Sequence, residues 1–167
     1  MKALLQLVRC VSCDVLAVLF FGWIILRLRI LDSHLGVRVP SSAKAPGVLM
    51  MILGAIVMSI CVVAFGFWGG GTPSPLAPTT DLVAIGPYRY VRNPIHIGQV
   101  IFFMGLGLYL QSLAVLLFSI AWLLFCHLYV VLFEEGTLKK KFGTAYEEYC
   151  RAVPRWIPSP QFRDKVR

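Results

Sequence analysis

Long apolar runs separated by short basic segments are the dominant pattern of this 167-residue chain. A helix needs about 20 apolar residues to cross roughly 30 Å of hydrocarbon. Three runs have this length, at about 4–26, 48–68 and 95–133, and the third contains 39 residues without a formal charge. Since 39 residues is nearly twice one span, we predict that this run forms a helical hairpin turning near Gln111 and Ser112. The pattern therefore predicts a bundle of about four transmembrane helices.

The first apolar run has the position of a signal peptide but not its ending. No cleavage site of small residues follows it, and it ends at Arg27 and Arg29. We therefore expect a retained membrane anchor. Asp14 is an acid at membrane depth in this run, which makes it a candidate functional residue, with solvation by Arg9 or by water as the alternative.

Beyond the last span, the polar and apolar positions predict a further helix. Gly143 is placed to end the preceding turn as a left-handed cap, and Thr144 with Glu147 has the spacing of a capping box. The new helix must end before Pro154. Its apolar positions fall three and four residues apart, at Tyr146, Tyr149, Cys150 and Val153. We therefore predict an amphipathic helix that lies on the cytosolic surface of the membrane.

Composition agrees with an all-α membrane protein, because 58% of the residues are hydrophobic and only 14% are charged. The net charge of +8 would also suit a nucleic-acid-binding protein. However, the sixteen Lys and Arg residues lie between and after the apolar runs instead of forming one basic face. We expect the lipid bilayer as a partner and no nucleic acid.

The distribution of positive charge predicts the orientation in the membrane. With four spans, the amino terminus, the central loop and the carboxyl-terminal tail share one side, and they carry twelve of the sixteen Lys and Arg. The positive-inside rule places this side in the cytosol. We expect an integral, multi-pass protein, in the plasma membrane if the source is prokaryotic, with both termini and the active site cytosolic.

The central loop divides the chain into two regions. Residues 1–68 hold the first two membrane helices, and residues 69–167 hold the loop, the hairpin and the tail. The loop, 69–94, contains five prolines and cannot be one regular helix. Loops of this length are usually functional or disordered. Its apolar residues favour docking on the bundle or the membrane, and disorder is the alternative.

The five cysteines show no spacing typical of a zinc site. They are Cys10, Cys13, Cys61, Cys126 and Cys150. Four of them lie in or beside apolar stretches, where cysteine acts as a small hydrophobic residue. We predict neither a metal nor a disulfide.

The densest group of candidate functional residues is the segment 86–98, at the entrance to the third span. Asn93 and Pro94 make a good helix start, with Asn93 as the cap and Pro94 as the first helical residue. The free N–H groups of the first turn would form a receptor for a carboxylate, reinforced by Arg89 and Arg92. An ordinary interfacial belt of aromatic and basic residues is the alternative.

Other polar and small residues of the hairpin have different expected roles. Gly98 leaves room for a flat ring to approach the backbone, and His96 is a polar group beside it. The sequence alone favours a packing role for His127, and for Gly105 and Gly107 it favours close contact between helices.

Two adjacent acids, Glu134 and Glu135, end the fourth span. The negative end of the helix dipole disfavours acids there, which suggests a cationic partner. If the fourth span returns beside the third, these acids approach the Arg92 turn. One site would then offer receptors for both a carboxylate and an ammonium group, which a bound amino acid moiety needs.

These features together resemble the isoprenylcysteine carboxyl methyltransferase and phospholipid methyltransferase superfamily. The resemblance covers about residues 69–160, in the right order and spacing. It rests on the segment 86–98, the helical hairpin, the acid pair and the segment 142–158.

The resemblance implies a site for S-adenosylmethionine and roles for particular residues. The residues expected to contact the cofactor are Tyr88, Arg92, Asn93, Pro94, His96, Gly98, Glu134, Glu135 and Tyr146. The segment 146–156 would close over it, and Arg155 and His96 would be catalytic. Two residues depart from the family motif, because Asn93 replaces a His and His96 replaces a Tyr. Asn93 cannot shuttle protons, which puts a general base at that position in doubt.

The resulting hypothesis is an integral membrane methyltransferase that uses S-adenosylmethionine and acts on a lipid-like or small apolar acceptor. The acceptor group, carboxylate, thiol or amine, is left open. The alternatives are an NADPH-dependent membrane reductase of the sterol-reductase type and a non-enzymatic small four-helix transporter.

Overall fold

A computed structural model describes residues 2–36, 39–68, 82 and 84–157 of the chain. Within these ranges, the side chains of residues 2–15, 17 and 65–68 are not described. The predicted role of Asp14 and the choice between docking and disorder for most of the central loop therefore lie outside the described residues.

The described residues form helices and turns and contain no strand. The α-helices are α1 (Lys2–Leu35), α2 (Lys44–Trp68), α3 (Pro94–Tyr109), α4 (Leu113–Tyr129), α5 (Glu135–Phe142) and α6 (Thr144–Ala152). Short 3-10 turns at Ser41–Ala43 and Gly86–Arg89 precede α2 and α3, and a π-helical turn at Val130–Glu134 joins α4 to α5. The all-helical fold class is confirmed.

Two of the described helical segments are long and apolar enough to cross a membrane, at Ser41–Ala64 and Leu113–Phe142. The apolar helix α3 is shorter, with 16 residues. At about 1.5 Å per residue it is roughly 24 Å long, less than the hydrocarbon thickness. Helix α1 has 34 residues and continues beyond the predicted end at residue 26.

The predicted hairpin is present, and its turn is built by local signals. Gln111 has a positive φ of 55°, and Ser112 is the N-cap of α4. The Ser112 hydroxyl accepts a hydrogen bond of 3.1 Å from the N–H of Val115. At the same end of the bundle, the Asp32 carboxylate of α1 accepts a hydrogen bond of 2.9 Å from the N–H of Ala114.

Glycines allow α2 and α3 to pack with their backbones in contact. A Cβ built on Gly54 would lie 2.6 Å from the carbonyl oxygen of Gly98, and one built on Gly47 would lie 2.7 Å from that of Gly105. Small residues at such positions are typical of packed membrane helices. The predicted packing role of Gly105 is confirmed, and Gly107 has the same role against Leu116 of α4.

A break at Gly143 follows α5 and a new helix begins after it, as the sequence predicts, but with a ψ of −129° Gly143 does not have the predicted left-handed helical conformation. Gly143 has a φ of 55° and separates α5 from α6. The predicted capping box is wrong, because Gly143 itself is the N-cap of α6 and no side chain caps this helix. The carboxylate of Glu147 instead forms an ion pair of 2.8 Å with Lys139 on α5.

The apolar stripe of α6 forms a small core of its own. Tyr146, Tyr149 and Val153 are buried, and Leu138 and Phe142 of α5 pack against them. Leu82, from the part of the central loop that is described, packs there as well. This cluster holds the tail against the segment that precedes α3.

Candidate functional site

Glu135, the first residue of α5, lies between two guanidinium groups. One carboxylate oxygen is 3.0 Å from Nη1 of Arg92 and 2.7 Å from Nε of Arg155, and the other is 3.0 Å from Nη2 of Arg155. Arg155 therefore forms a bidentate ion pair with Glu135, and this geometry gives some of the strongest charged hydrogen bonds in proteins. This ion pair raises the pKa of Arg155.

The contacts of Arg92 and Arg155 with Glu135 confirm a prediction from the sequence. The start of the third predicted span lies beside the end of the fourth. Arg92 lies just before α3, and Glu135 follows the π-helical turn after α4. The exposed fractions of the side chains are 12% for Arg92 and 22% for Glu135. The pair is therefore shielded from most of the screening that weakens surface ion pairs.

Backbone hydrogen bonds fix the end of the tail against the entrance to α3. The N–H of Arg92 donates to the carbonyl of Pro154 at 2.9 Å. The side-chain amide of buried Asn93 donates to the carbonyl of Arg155 at 3.2 Å. The expected side-chain cap on α3 is wrong, because Asn93 occupies the N-cap position but its side chain makes no cap hydrogen bond. It binds the tail instead, while Pro94 is the first helical residue, as predicted.

His96 and Glu134 form a second polar pair beside the first. Nε2 of His96 lies 3.8 Å from Oε2 of Glu134, and Nδ1 of the same ring lies 3.1 Å from the side-chain oxygen of Gln99. That oxygen also accepts a hydrogen bond of 3.3 Å from the indole N–H of Trp122. Gln99 thus links His96 to Trp122 on α4.

Two buried polar atoms at the site have no hydrogen-bond partner among the described residues. They are the donor Nε of Arg92 and the acceptor Oε2 of Glu134. Leaving such atoms unpaired costs free energy, about 1–3 kcal/mol each or more for charged groups. A ligand with both an acceptor and a donor group would satisfy them.

Three tyrosines support the site from the side of the tail. Tyr88, Tyr146 and Tyr149 are buried, and the Tyr149 hydroxyl donates a hydrogen bond of 2.7 Å to the carbonyl of Tyr88. Burial raises the pKa of each of these phenols. They therefore remain neutral donors at physiological pH.

Gly98 does not offer the space that the sequence analysis expects for a flat ring. A Cβ at this position would lie 3.0 Å from the carbonyl oxygen of Gly54 and 3.0 Å from Cγ of Met58. Helix α2 fills this space, so Gly98 is a helix-packing residue. Its tertiary partner is far away in the sequence, and the local motif gives no sign of it.

Two further contacts join residues whose pairing the sequence did not predict. Nη1 of Arg92 lies 2.9 Å from the thiol sulfur of Cys150, and the indole N–H of Trp156 donates to Nδ1 of His127 at 3.0 Å. Cys150 was expected only as a member of the apolar stripe of α6. The apolar stripe of α6 did predict that it faces inward, but not that it faces a guanidinium.

An open groove of about 480 Å³ borders Glu135 on the side of α5 and α6. Its walls are formed by Glu135, Gly136, Lys139, Tyr146, Glu147, Cys150 and Arg151. The site therefore consists of a charged corner, formed by Arg92, Glu135 and Arg155, with an adjoining groove.

Comparison with known proteins adds two findings. The sequence model of the phospholipid methyltransferase family matches residues 43–145. The chain is also similar to the protein-S-isoprenylcysteine O-methyltransferase of Schizosaccharomyces pombe, with 38% identity over 79 residues. That alignment covers 46% of this chain and 33% of the relative, so the chain spans about a third of the length of this curated relative. No solved structure matches the chain significantly.

Proposed function

Because the chain belongs to the phospholipid methyltransferase family, we propose that it is a membrane methyltransferase that uses S-adenosylmethionine and acts on a lipid-like acceptor. The charged corner is the observation that carries this proposal. Arg92, Arg155 and Glu135 bring both signs of charge together within hydrogen-bond distance. An α-amino acid group, which carries a carboxylate and an ammonium, needs this combination.

The unpaired atoms support the same ligand chemistry. The Nε donor of Arg92 suits a carboxylate. Oε2 of Glu134 has only the 3.8 Å contact with His96 and no hydrogen bond among the described residues, and it suits an ammonium group. The donor set therefore fits the amino acid portion of S-adenosylmethionine. Arg155 is the most exposed member of the corner, at 32%, and we propose that it exchanges part of its contact with Glu135 for the ligand's carboxylate.

The adjoining groove is the proposed place for the remainder of the cofactor. Tyr146 and Cys150 form part of its wall next to Glu135. Of the other residues proposed for the cofactor, Tyr88 and Asn93 act by holding the tail in place, Pro94 begins α3, and Gly98 sets the distance between α2 and α3.

The bound cofactor would supply an already activated methyl group, so the main tasks of the protein are alignment and exclusion of water. The tail covers the start of α3 through the hydrogen bonds of Arg92 and Asn93 to its backbone. His96, 3.8 Å from Glu134, is the proposed catalytic group beside the corner. A carboxylate or thiolate acceptor would not require a general base, whereas an amine would.

The test is calorimetry of S-adenosylhomocysteine with the detergent-purified protein. We expect binding by the wild type and a loss of about 10- to 100-fold in affinity for Glu135→Gln, since a charged hydrogen-bond partner is removed. The matched control is Glu148→Gln, an exposed acid on α6 in the same tail. Equal affinity in the two variants would remove Glu135 from the site. Selective binding of NADPH in place of S-adenosylhomocysteine would overturn the methyltransferase proposal.

A further inference from the structure

A second cleft, of about 430 Å³, lies on the exposed side of the hairpin, beside the exposed side chain of Leu124. Its walls are aliphatic side chains of α3 and α4, namely Ile97, Val100, Ile101, Leu123 and Leu124. At one end they meet two side chains with polar atoms, His127 and Trp156. The cleft is therefore apolar along most of its length and polar at one end.

The polar end has a defined hydrogen-bonding character. The indole N–H of Trp156 can only donate, so the Nδ1 atom of His127 that it contacts at 3.0 Å must accept. The ring proton then resides on Nε2, which has no hydrogen-bond partner among the described residues. His127 therefore has one free donor, and an oxygen atom is its natural partner.

The polar end is linked to the charged corner through the backbone of the tail. Trp156 directly follows Arg155, whose guanidinium binds Glu135. A molecule whose head group contacts His127 would therefore extend towards the proposed methyl donor. Its hydrocarbon chain would run between α3 and α4, away from the corner.

The length of the cleft indicates how much of that chain it can hold. Its α3 wall runs over five residues from Ile97 to Ile101, and the four steps between them correspond to about 6 Å along the helix axis. Only the first few carbons fit within this distance. Exposed apolar side chains farther along α4, such as Leu117, leave the rest of the chain in contact with bilayer lipid.

We propose that this cleft binds the first carbons of a single-chain lipid acceptor, and that His127 donates a hydrogen bond to an oxygen of the acceptor's head group. The proposal rests on the methyltransferase function and specifies where its acceptor enters. His127 is a binding residue in this role. Trp156 is a positioning residue, because it fixes which nitrogen of the imidazole carries the proton.

The experiment uses two light-activated probes with the full-length protein in lipid nanodiscs. One is a long-chain carboxylic acid with a diazirine near the head group, and the other is the matched hydrocarbon without the head group. Labelled peptides are located by mass spectrometry. We expect the acid to label residues 97–101 and 123–127 selectively, and the hydrocarbon to label all lipid-facing positions.

Two variants and one control test the cleft. Leu124→Trp should fill the cleft and lower labelling by the acid about tenfold or more, because the wall can no longer accept the chain. Leu117→Trp is the control, since Leu117 lies two turns away on the same face of α4 and is similarly exposed, 50% against 60%. His127→Phe keeps a ring but removes the donor, and should lower acid labelling about three- to tenfold with no effect on the hydrocarbon probe.

The outcomes separate this inference from the proposed function. If the acid labels the lipid-facing surface evenly, or if Leu124→Trp does not change its labelling, the proposal that the cleft binds the acceptor is overturned. Equal labelling by the acid in the wild type and His127→Phe would overturn the role of His127. Calorimetry with S-adenosylhomocysteine on the same samples reports on the proposed function independently, and we expect Leu124→Trp to bind it like the wild type.

Discussion

At the scale of single residues, the balance of charge at Glu135 explains why this corner should attract a ligand. One carboxylate faces two guanidinium groups, so the triad carries a net positive charge within a largely shielded site. Glu134, beside His96, supplies a further acid close by. The corner can thus accept a zwitterion without burying uncompensated charge, which would be costly.

The sequence could predict that Arg92 lies close to the acid pair, but it could not predict every hydrogen bond that the residues of the site make. Adjacent acids at the end of a helix require a cationic partner, and a hairpin of the predicted length brings them to Arg92. The role of Asn93 depends on a carbonyl 62 positions later, at Arg155. The preference of Asn for helix N-caps cannot reveal that the carbonyl of Arg155 competes for its side chain. In the structure the hydrogen bond to Arg155 replaces the expected cap on α3.

Cys150 provides a test of the proposed cofactor groove by chemical labelling. Its thiol contacts Arg92 and its side chain lines the groove. We expect N-ethylmaleimide to modify it, and saturating S-adenosylhomocysteine to slow the modification about tenfold or more, because a bound ligand covers the thiol. Peptide mapping by mass spectrometry measures the rate at Cys150 itself. Labelling at an unchanged rate would place the ligand elsewhere, and the Cys150→Ser protein identifies any background.

The hydroxyl of Tyr149 should contribute to the attachment of the tail. Tyr149→Phe removes a buried hydrogen bond of 2.7 Å to the carbonyl of Tyr88, with an expected cost of about 1–2 kcal/mol. Local opening of the tail should then increase by about 5- to 30-fold. Limited trypsin cleavage after Arg151 or Arg155 measures this opening. The control is Tyr90→Phe, because Tyr90 is an exposed tyrosine directly after the 3-10 turn that contains Tyr88. Identical cleavage of the two variants would contradict the prediction.

At the scale of helices, strong local signals explain the elements that the sequence predicts well. The turn at Gln111 and Ser112, the break at Gly143 and the end of α6 before Pro154 all agree with the predictions from residue type. The π-helical turn Val130–Glu134 has no comparable signal in the sequence. Such turns change the direction in which the following residues face, and they often occur near functional sites. This one immediately precedes Glu135.

The glycine contact between α2 and α3 should stabilise the packing of these two helices, and α3 begins at the site. Gly54→Val places a side chain where a Cβ alone would lie 2.6 Å from the Gly98 carbonyl, so the helices must separate. We expect a loss of about 1–3 kcal/mol or more in stability, measured by thermal unfolding in detergent. Gly22→Val on α1 is the matched control, because no atom lies within 4 Å of the Cβ position there. A midpoint as low for Gly22→Val as for Gly54→Val would show that the effect is not specific to the helix contact.

At the scale of the whole molecule, the short helix α3 affects the depth of the site in the membrane. A helix of about 24 Å does not cover the full hydrocarbon thickness, and Arg92 lies two residues before its first residue, Pro94. If the hairpin turn reaches the opposite surface, the charged corner lies below the level of the lipid head groups. This arrangement would let a lipid acceptor reach the site without leaving the bilayer.

The orientation predicted from positive charge decides whether the cofactor can reach this corner. Ser42, between α1 and α2, lies at the end of the bundle that contains the hairpin turn, where Gln111 binds the carbonyl of Val39. Glu148 lies at the opposite end, on α6. With the protein in a bacterial plasma membrane and Cys150→Ser as background, a membrane-impermeant maleimide should label Ser42→Cys in intact cells. It should label Glu148→Cys only after permeabilisation, because the positive-inside rule predicts a cytosolic location for the basic tail. The reverse pattern would place the corner outside the cell, away from any cytosolic supply of S-adenosylmethionine, and would contradict the proposed function together with the topology.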